Sequence, residues 1–249
     1  MSNEYRNTLD EKNTDKINEL LNGMPEFIED YYDSLVAKGR STNTIKSYLY
    51  EVGVFLKFVG TIVKKKNIND IYVTDLDKVS RKQIEKYVAR SESGAPLEKT
   101  AMRRRLSVVK SIYKYYFSNS DITTNPVLEM EGAKLDTKEV IKLNPDQVKA
   151  LLDCIQNQEG VKEHSKAYSE KLVYRDLAIV MVLLGTGMRV SELVGLNIND
   201  YDLTTPEHPC FHIIRKGSDQ DIVYFVSAVK AAVDDYLEFT RPLLLDSEG

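Results

Sequence analysis

The 249-residue sequence contains no tryptophan, only two cysteines and only three histidines. Cys154 and Cys210 do not have the spacing of a metal or redox motif, and we expect a reducing cytoplasm as the location. No apolar run approaches the roughly 20 residues that span a bilayer, and the polar, acidic start MSNEYRNTLDEKN does not resemble a secretory signal. These absences favour a globular protein of one large or two modest domains.

Net positive charge is also missing, since the chain carries −4, which at first argues against a nucleic-acid partner. The distribution reverses this expectation. Residues 1–33 carry 3 basic and 9 acidic side chains, residues 34–114 carry 18 and 7, and residues 115–249 carry 13 and 22. A middle region of +11 (18 − 7) between acidic flanks suggests a surface for a polyanion. The alternative is a solvated helical surface.

The first helices are predicted from apolar periodicity and capping residues. Residues 1–22 lack a sustained apolar period and are predicted to be a flexible arm. A first helix follows and ends near Gly39, and Ser41 or Thr42 caps a second helix that ends at Gly60. Another face of the second helix combines the residues predicted to contact DNA there, which are Asn43, Lys46, Tyr50 and Lys57.

A fourth helix, expected over about 98–118 after a third that begins with a Ser80–Gln83 capping box, carries a basic stripe. No acidic residue lies between Lys99 and Lys114. Long cations and hydroxyls on a rigid rod suit phosphates, whereas a solvated lysine face usually mixes both signs. The DNA-binding residues predicted on this helix are Lys99, Arg103, Arg104, Ser107, Lys110 and Lys114.

Residues 131–143 lack a helical period and are predicted to be a linker between domains 23–130 and 144–249. Local signals in the second domain predict a mixture of helices and strands. These are a helix capped by Asn144 with Pro145 in its first turn, a polar loop over 156–170, a buried helix over about 170–185, two strands within 203–226 joined by a turn over 216–220, and a last helix capped by Ser227 and broken at Arg241-Pro242.

The segment 183–196, LLGTGMRVSELVGL, places Arg189 just after a Gly-Thr-Gly turn between apolar stretches. A charge against a core is costly unless it is paired, and the planar guanidinium suits a carboxylate or a phosphate. Glu192 could supply the carboxylate, which would make Arg189 part of a structural ion pair. The spacing alone leaves the structural and the functional role equally open.

The run T-G-M-R-V-S-E-L around Arg189 resembles the first signature of the tyrosine recombinases, the phage-integrase family, in its Xer-like branch. Residues 27–59 and 99–126 resemble the family's N-terminal domain. The resemblance implies a mainly α fold with two domains. A four-helix, SAM-like core-binding domain would form half of a clamp on duplex DNA, and an α+β catalytic domain with a small β-hairpin or sheet would follow.

The resemblance also implies site-specific recombination by transesterification. A tyrosine would form a 3′-phosphotyrosyl link that a 5′-hydroxyl of another strand reverses, so neither ATP, a metal nor another cofactor is expected. Arg189 would hold the scissile phosphate, Lys216 in the hairpin turn would protonate the leaving oxygen, and Glu192 would orient their neighbourhood. Without the resemblance, a lysine in such a turn is more commonly a solvated side chain.

The sequence departs from the family pattern near its end. The family continues with H-x-x-R on a helix and then the nucleophilic tyrosine, whereas this sequence stops at Gly249. His212 to Arg215 have the H-x-x-R letters but are expected on a strand before Lys216, so we interpret them as a coincidental match. Tyr236 has the spacing of a core residue. We therefore expect a fragment that lacks the C-terminal part of the catalytic domain and is inactive alone.

Three functions remain open at this point. The first is a recombinase that works on double-stranded DNA with other protomers, as a tetramer on two sites. The second is a non-catalytic DNA-binding module that ends before the nucleophile. The third is a helical interaction protein without a DNA role, which the single-sign stripe of the fourth helix opposes. No membrane partner is expected.

Overall fold

The structure, a computed structural model, describes residues 4–91, 93–136, 139, 141–215 and 219–246. Within these ranges the chain is mainly helical with one small antiparallel sheet, which confirms the predicted fold class. The chain divides into two compact units, Thr8–Lys138 and Glu139–Gly249, with the N-terminal residues up to Asn7 grouped with the second. None of the described helices is both long and apolar enough to cross a bilayer.

The first unit is built from α-helices and two short 3-10 turns. Ser41 caps α3 by accepting from the amide of Thr44, and Ser80 and Gln83 form the capping box predicted for α4. Gly39, just past α2, has the left-handed φ of +65° that favours glycine. The helices are α1 (Glu4–Asn22), α2 (Phe27–Ala37), α3 (Thr42–Val63), α4 (Arg81–Ala89) and α5 (Lys99–Ser118), and the 3-10 turns are Ile68–Asp70 and Val73–Lys78.

Three tyrosines are among the largest buried side chains in the core of the first unit. Tyr31, Tyr113 and Tyr116 are at most 2% exposed. Tyr31 donates to a serine hydroxyl of α5 at 2.8 Å, Tyr113 to the carbonyl of Leu76 at 2.9 Å and Tyr116 to the carbonyl of Phe27 at 2.5 Å. A buried hydroxyl without a partner is costly, so these bonds fix α5 against α2 and the second 3-10 turn. Burial raises the pKa of each phenol.

The structure differs from the prediction of a flexible arm over 1–22, because residues 4–22 form α1. Ile17 of α1 is 2% exposed and belongs to the core of the first unit. Asn13 is equally buried and bonds to Thr42 at 3.3 Å and to Lys46 at 2.5 Å. Leu20 and Leu21, at the end of α1, are half-buried against the same core. Because the apolar contacts are confined to the C-terminal part of the helix, the sequence shows no sustained apolar period, which is why periodicity missed it.

Helix α3 continues one turn past Gly60, where it was predicted to end. Gly60 is buried, and a Cβ at this position would lie 3.1 Å from the carbonyl oxygen of Lys65. The helix ends instead at Val63, and Lys64 adopts a left-handed φ of 60°. Gly60 therefore serves close packing rather than helix termination.

The second unit combines helices with the sheet. Asn144 and Gln147 form a capping box ahead of its first helix, with Pro145 in the first turn as predicted. The elements are α6 (Pro145–Asn157), α7 (Glu163–Thr186), α8 (Val190–Val194), a 3-10 turn (Ile198–Asp200), β1 (Tyr201–Asp202), β2 (Cys210–Ile214), β3 (Gln220–Tyr224), α9 (Ser227–Asp235), a π-helical turn (Tyr236–Thr240) and α10 (Arg241–Asp246).

Three details of the second unit correct the sequence prediction. The loop expected over 156–170 is shorter, because α7 already begins at Glu163. Val226, rather than Ser227, occupies the position before α9. The chain also stays helical through Pro242, because the π-helical turn precedes it and proline needs no amide donor in the first turn of α10.

The sheet has the order β1-β2-β3, and both pairs are antiparallel. Side chains of β2 alternate between its two faces. Phe211 and Ile213 point to one face, where they join Val182, Met188 and Val229 in the small core of the unit. Cys210 and His212 belong to the other face.

Candidate active site and nucleic-acid interface

Two glycines shape the turn that delivers Arg189. Gly187 ends α7 with a φ of +66°, and its amide donates to the carbonyl of Leu183 at 3.0 Å. A Cβ on Gly185 would overlap Cγ2 of Val229 on α9, so α7 and α9 pack this closely only with glycine there. Together the two positions fix the place of Arg189, the residue that precedes α8.

Arg189 and Glu192 are joined through main chain and side chain. The Arg189 amide donates to Oε2 of Glu192 at 2.8 Å, and its Nη1 donates to Oε1 at 2.7 Å. The Glu192 side chain is 3% exposed, whereas that of Arg189 is 63% exposed. Burial is the largest influence and raises the pKa of Glu192, but the hydrogen bonds and charge of Arg189, with a contribution from Arg215, outweigh it and lower this pKa. Glu192 is therefore a carboxylate at neutral pH.

This pairing leaves donors of the Arg189 guanidinium available. Arginine has five N–H donors, and within the described part of the chain Glu192 is the partner found for the Arg189 side chain. An exposed guanidinium on a buried carboxylate is oriented to bind an anion, and its planar shape suits a phosphate. Arg189 can thus both form the structural ion pair with Glu192 and bind an anion, the two roles that the sequence left open.

Arg215 is a second cation at this carboxylate that sequence reasoning missed. Its Nη1 lies 3.8 Å from Oε1 of Glu192, and its Nε pairs with Asp221 across the hairpin. The interpretation of the H-x-x-R letters as a strand agrees with β2, which contains His212. The position of Arg215 directly before Lys216 was a sequence signal, but only the folded sheet brings it to α8.

Lys216, the proposed general acid, lies outside the described residues. The described residues on either side of it belong to the β2–β3 hairpin, in which the Arg215 amide donates to the carbonyl of Asp219 at 2.8 Å. Tyr236 lies in the π-helical turn, is half-buried and lines an apolar groove of the second unit with Leu193.

The basic stripe on α5 divides into paired and unpaired cations. Lys99 bonds to Asp136 at 2.7 Å, and Arg104 lies 3.2 Å from Glu51 of α3. These acids come from other segments, so the sequence of α5 could not reveal them. Ser107 is exposed. Within the described ranges, the side chains without an acidic partner are Arg103, Lys110 and Lys114.

The residues predicted on α3 do not form a uniform DNA surface. Asn43, Tyr50 and Lys57 are exposed, and Tyr50 is 61% exposed. Tyr50 lines a groove of the first unit together with Arg104 of α5, which brings the two predicted sets together. Lys46, in contrast, is half-buried and donates to Asn13 of α1.

Two family models match the chain. The model of the phage integrase family matches residues 142–246, and that of the phage integrase N-terminal SAM-like domain matches residues 28–119. Each match falls within one of the two units of the structure.

Curated relatives are tyrosine recombinases. The chain is 30% identical over 233 residues to tyrosine recombinase XerC of Caldanaerobacter subterraneus, with 88% of this chain and 60% of the relative covered. It is 28% identical over 251 residues to tyrosine recombinase XerS of Streptococcus thermophilus, with 90% and 70% covered. The chain thus spans less than two thirds of the XerC relative's length.

Solved structures share the fold. The XerH site-specific recombinase bound to palindromic difH substrate matches with a TM-score of 0.56 at 15% identity, with 90% of this chain and 61% of that chain covered. The Tn1549 transposon integrase in complex with transposon right end DNA matches with a TM-score of 0.55 at 20% identity, with 84% and 63% covered.

Proposed function

This chain belongs to the phage integrase family of tyrosine recombinases, and we propose that it acts in site-specific DNA recombination. One observation carries the proposal. Arg189 presents an exposed guanidinium on the buried carboxylate of Glu192, at the position where the family signature has its phosphate-binding arginine. An anion-binding arginine fixed in this way suits the stabilisation of a reacting phosphate.

In the proposed reaction, a tyrosine oxygen attacks the phosphorus of a phosphodiester. The bond from phosphorus to the 5′-oxygen breaks, and a 3′-phosphotyrosyl link forms. Negative charge builds on the nonbridging oxygens, where Arg189 donates charge-assisted hydrogen bonds. Glu192 acts as a positioning residue, because its two bonds to Arg189 fix the direction of the guanidinium.

The leaving 5′-oxygen needs a proton, and we assign its donor as Lys216. This lysine directly follows Arg215, whose side chain lies beside Glu192. In the family, a lysine of this hairpin reaches the cleaved strand. A general acid of this kind typically contributes about 10²–10⁴-fold to the rate.

Double-stranded DNA is the proposed partner, held in part by α3 and α5. The unpaired Arg103, Lys110 and Lys114 supply phosphate contacts that position the duplex without reading its sequence. Of the similar solved structures, XerH is bound to difH substrate and the Tn1549 integrase is in complex with transposon DNA. We propose that other recombinase protomers complete the assembly, as a tetramer on two DNA sites, and that the protein works in the cytoplasm.

A second candidate function is a DNA-binding module without cleavage. The 249 residues contain the proposed Arg189 and Lys216, whereas the tyrosine beyond the hairpin, Tyr236, is half-buried in the π-helical turn. We therefore propose that these residues, taken by themselves, bind DNA and do not cleave it.

A nicked suicide substrate tests the second candidate. Residues 1–249 are expected to bind this DNA and to form no denaturant-resistant protein–DNA species. Gel electrophoresis under denaturing conditions measures the outcome, with Tyr236→Phe as the control variant. A covalent species that Tyr236→Phe abolishes would contradict the proposal and identify Tyr236 as the nucleophile.

The separate roles of Arg189 and Lys216 can be tested in a form of the protein that also carries a nucleophilic tyrosine. Arg189→Lys keeps the charge but loses the bidentate geometry, so we expect cleavage to slow by about 10²–10³-fold with DNA binding nearly unchanged. Lys216→Ala should also slow cleavage. Replacing the bridging 5′-oxygen by sulfur creates a leaving group that needs no proton, and this substrate should rescue Lys216→Ala but not Arg189→Lys.

Cleavage rates of both variants on both substrates decide between the assignments. Equal rescue of the two variants, or no rescue of Lys216→Ala, would return Lys216 to an ordinary turn lysine. Unchanged cleavage by Arg189→Lys on the oxygen substrate would reduce Arg189 to a structural ion pair with Glu192.

A further inference from the structure

We propose that Asp202, Cys210 and His212 form a binding site for a zinc-class divalent cation on the outer face of the sheet. The register places Asp202 of β1 directly opposite Cys210 of β2. His212 follows two residues along β2, so all three side chains project from the same face. The intervening Phe211 points to the opposite face and into the core.

The ligand atoms are already close together. A carboxylate oxygen of Asp202, the sulfur of Cys210 and a ring nitrogen of His212 lie within 4.8 Å of one another. Asp202 Oδ2 and His212 Nε2 lie 3.0 Å apart. Tetrahedral zinc, with bonds of about 2.0–2.3 Å, holds its ligand atoms roughly 3.3–3.8 Å apart. Adjustments of about an ångström at the side-chain ends therefore close the site around an ion.

The combination of ligands selects the kind of cation. Magnesium and calcium prefer oxygen ligands alone, whereas a thiolate, an imidazole and a carboxylate together suit zinc or cobalt. Three protein ligands leave a fourth position for water. Cys210 is 7% exposed and Asp202 and His212 are half-buried, so this position remains within reach of solvent.

The Asp202 carboxylate is also held in place by hydrogen bonds to its other oxygen, as metal-binding carboxylates usually are. The main-chain amide and the hydroxyl of Thr204 donate to its Oδ1, at 2.8 and 2.6 Å. These bonds direct Oδ2 toward His212. The simpler alternative is a hydrogen-bonded Asp202–His212 pair beside a buried cysteine, and it predicts no affinity for a cation.

A cation at this site would link β1 to β2 at the base of the hairpin. The same strand, β2, ends at Ile214 and is followed by Arg215. Binding would thus hold in place the strand that leads to the candidate active site. The inference concerns cation binding alone and holds whether or not the chain cleaves DNA.

Cobalt binding to the 249-residue protein tests the proposal directly. With metal-free protein in a non-coordinating reductant, Co²⁺ is expected to produce the thiolate-to-cobalt charge-transfer band and the visible bands of a tetrahedral site. Cys210→Ser should abolish the charge-transfer band. His212→Gln and Asp202→Asn should each weaken Zn²⁺ affinity at least about tenfold, measured by calorimetry.

Matched controls come from the same unit. Cys154→Ser and His208→Gln alter a cysteine and a histidine outside the triad and should leave both signals unchanged. Zn²⁺ should also raise the thermal unfolding midpoint of the unaltered protein and not that of Cys210→Ser, with circular dichroism showing that the variant is folded. The absence of a charge-transfer band in the unaltered protein, or its loss in Cys154→Ser instead of Cys210→Ser, would overturn the proposal.

Discussion

Each unit of the molecule buries a carboxylate between two cations, and the two arrangements differ in what they leave free. In the first unit Asp75 accepts from Lys65 at 2.5 Å and from Lys78 at 2.8 Å. Lys65 also donates to the carbonyl of Asp70 and lies 4.2 Å from the ring centre of Tyr72. Its ammonium is therefore fully occupied in joining the end of α3 to the 3-10 turns.

In the second unit the Glu192 side chain is buried to the same extent as that of Asp75, but the cations beside it are arginines. Lys78 in the first unit is as exposed as Arg189, both at 63%, but an ammonium carries its three donors on one atom, whereas the planar guanidinium spreads five donors and has some to spare. The same electrostatic arrangement thus serves stability in one unit and presents a binding group in the other. The difference lies in the shape of the cation and the number of its donors rather than in its exposure or in the buried carboxylate.

The two units also differ in the size of their cores. Among the described residues, the cluster of the first unit contains 26 buried hydrophobic residues and that of the second contains 6. The second unit exposes apolar side chains such as Val190, Val194 and Ile198, each at 50% or more. The first unit is therefore expected to be the more stable of the two.

The same substitution in each core tests this difference and has the largest expected effect. Phe55→Ala should lower the free energy of unfolding of the first unit by about 3–5 kcal/mol, because Phe55 is fully buried in a large, well-packed cluster. Phe211→Ala should cost the second unit less, since a small cluster collapses more easily around the cavity. Denaturant unfolding followed by circular dichroism measures both changes. A single transition that both variants shift equally would show one cooperative unit instead.

The next largest effect is expected at low pH, where protonation of Asp75 should lower the free energy of unfolding of the first unit. Burial opposes its charge, but the bonds from Lys65, Lys78 and the Tyr72 amide outweigh this and lower the pKa of Asp75 to about 2. A folded-state pKa below the unfolded value of 3.8 stabilises the fold above that value, by about 2 kcal/mol. This stability is lost as the pH falls from about 4 toward 2.

Asp75→Asn should remove that pH dependence and destabilise the unit at pH 7. The control is Asp33→Asn, which alters an exposed aspartate of α2 and should leave the acid unfolding curve unchanged. Unfolding midpoints measured between pH 2 and 7 provide the comparison. An acid profile of Asp75→Asn identical to that of the unaltered protein would contradict the assignment.

The smallest effect of each single substitution is expected on the DNA affinity of the first unit. Replacing Arg103, Lys110 and Lys114 by alanine should reduce the slope of log affinity against log salt by about 0.9 for each phosphate that is no longer neutralised. Replacing three exposed lysines of the second unit changes the charge equally and should reduce the slope less. These lysines are Lys142, Lys149 and Lys166. Fluorescence anisotropy at several salt concentrations measures the slopes, and equal slopes for both triple variants would show no preference for α5.

Structural features that depend on residues close together in the sequence were predicted correctly. The capping box of Ser80 and Gln83 and the cap at Asn144 depend on residues three positions apart, and the apolar period of α3 needs no information from elsewhere. Helix α1 was missed because its buried residues are few and include the polar Asn13, so they leave no sustained apolar pattern.

The candidate site was predictable only in part for the same reason. Arg189 and Glu192 are three residues apart, so their pairing could be foreseen. Arg215 reaches Glu192 only when β2 folds beside α8, and Glu51 reaches Arg104 only when α3 packs on α5. Such pairs depend on register and packing between distant segments, which one sequence does not specify by its local pattern.

The close approach of Gly185 to Val229 has a consequence for how this protein can change over evolution. Because a Cβ at 185 would overlap the Val229 side chain, the two positions cannot vary independently. A larger residue at 185 requires a smaller one at 229, and without that exchange α7 must shift and carry Arg189 with it. Sequences that preserve the position of Arg189 should therefore exchange volume between these two sites.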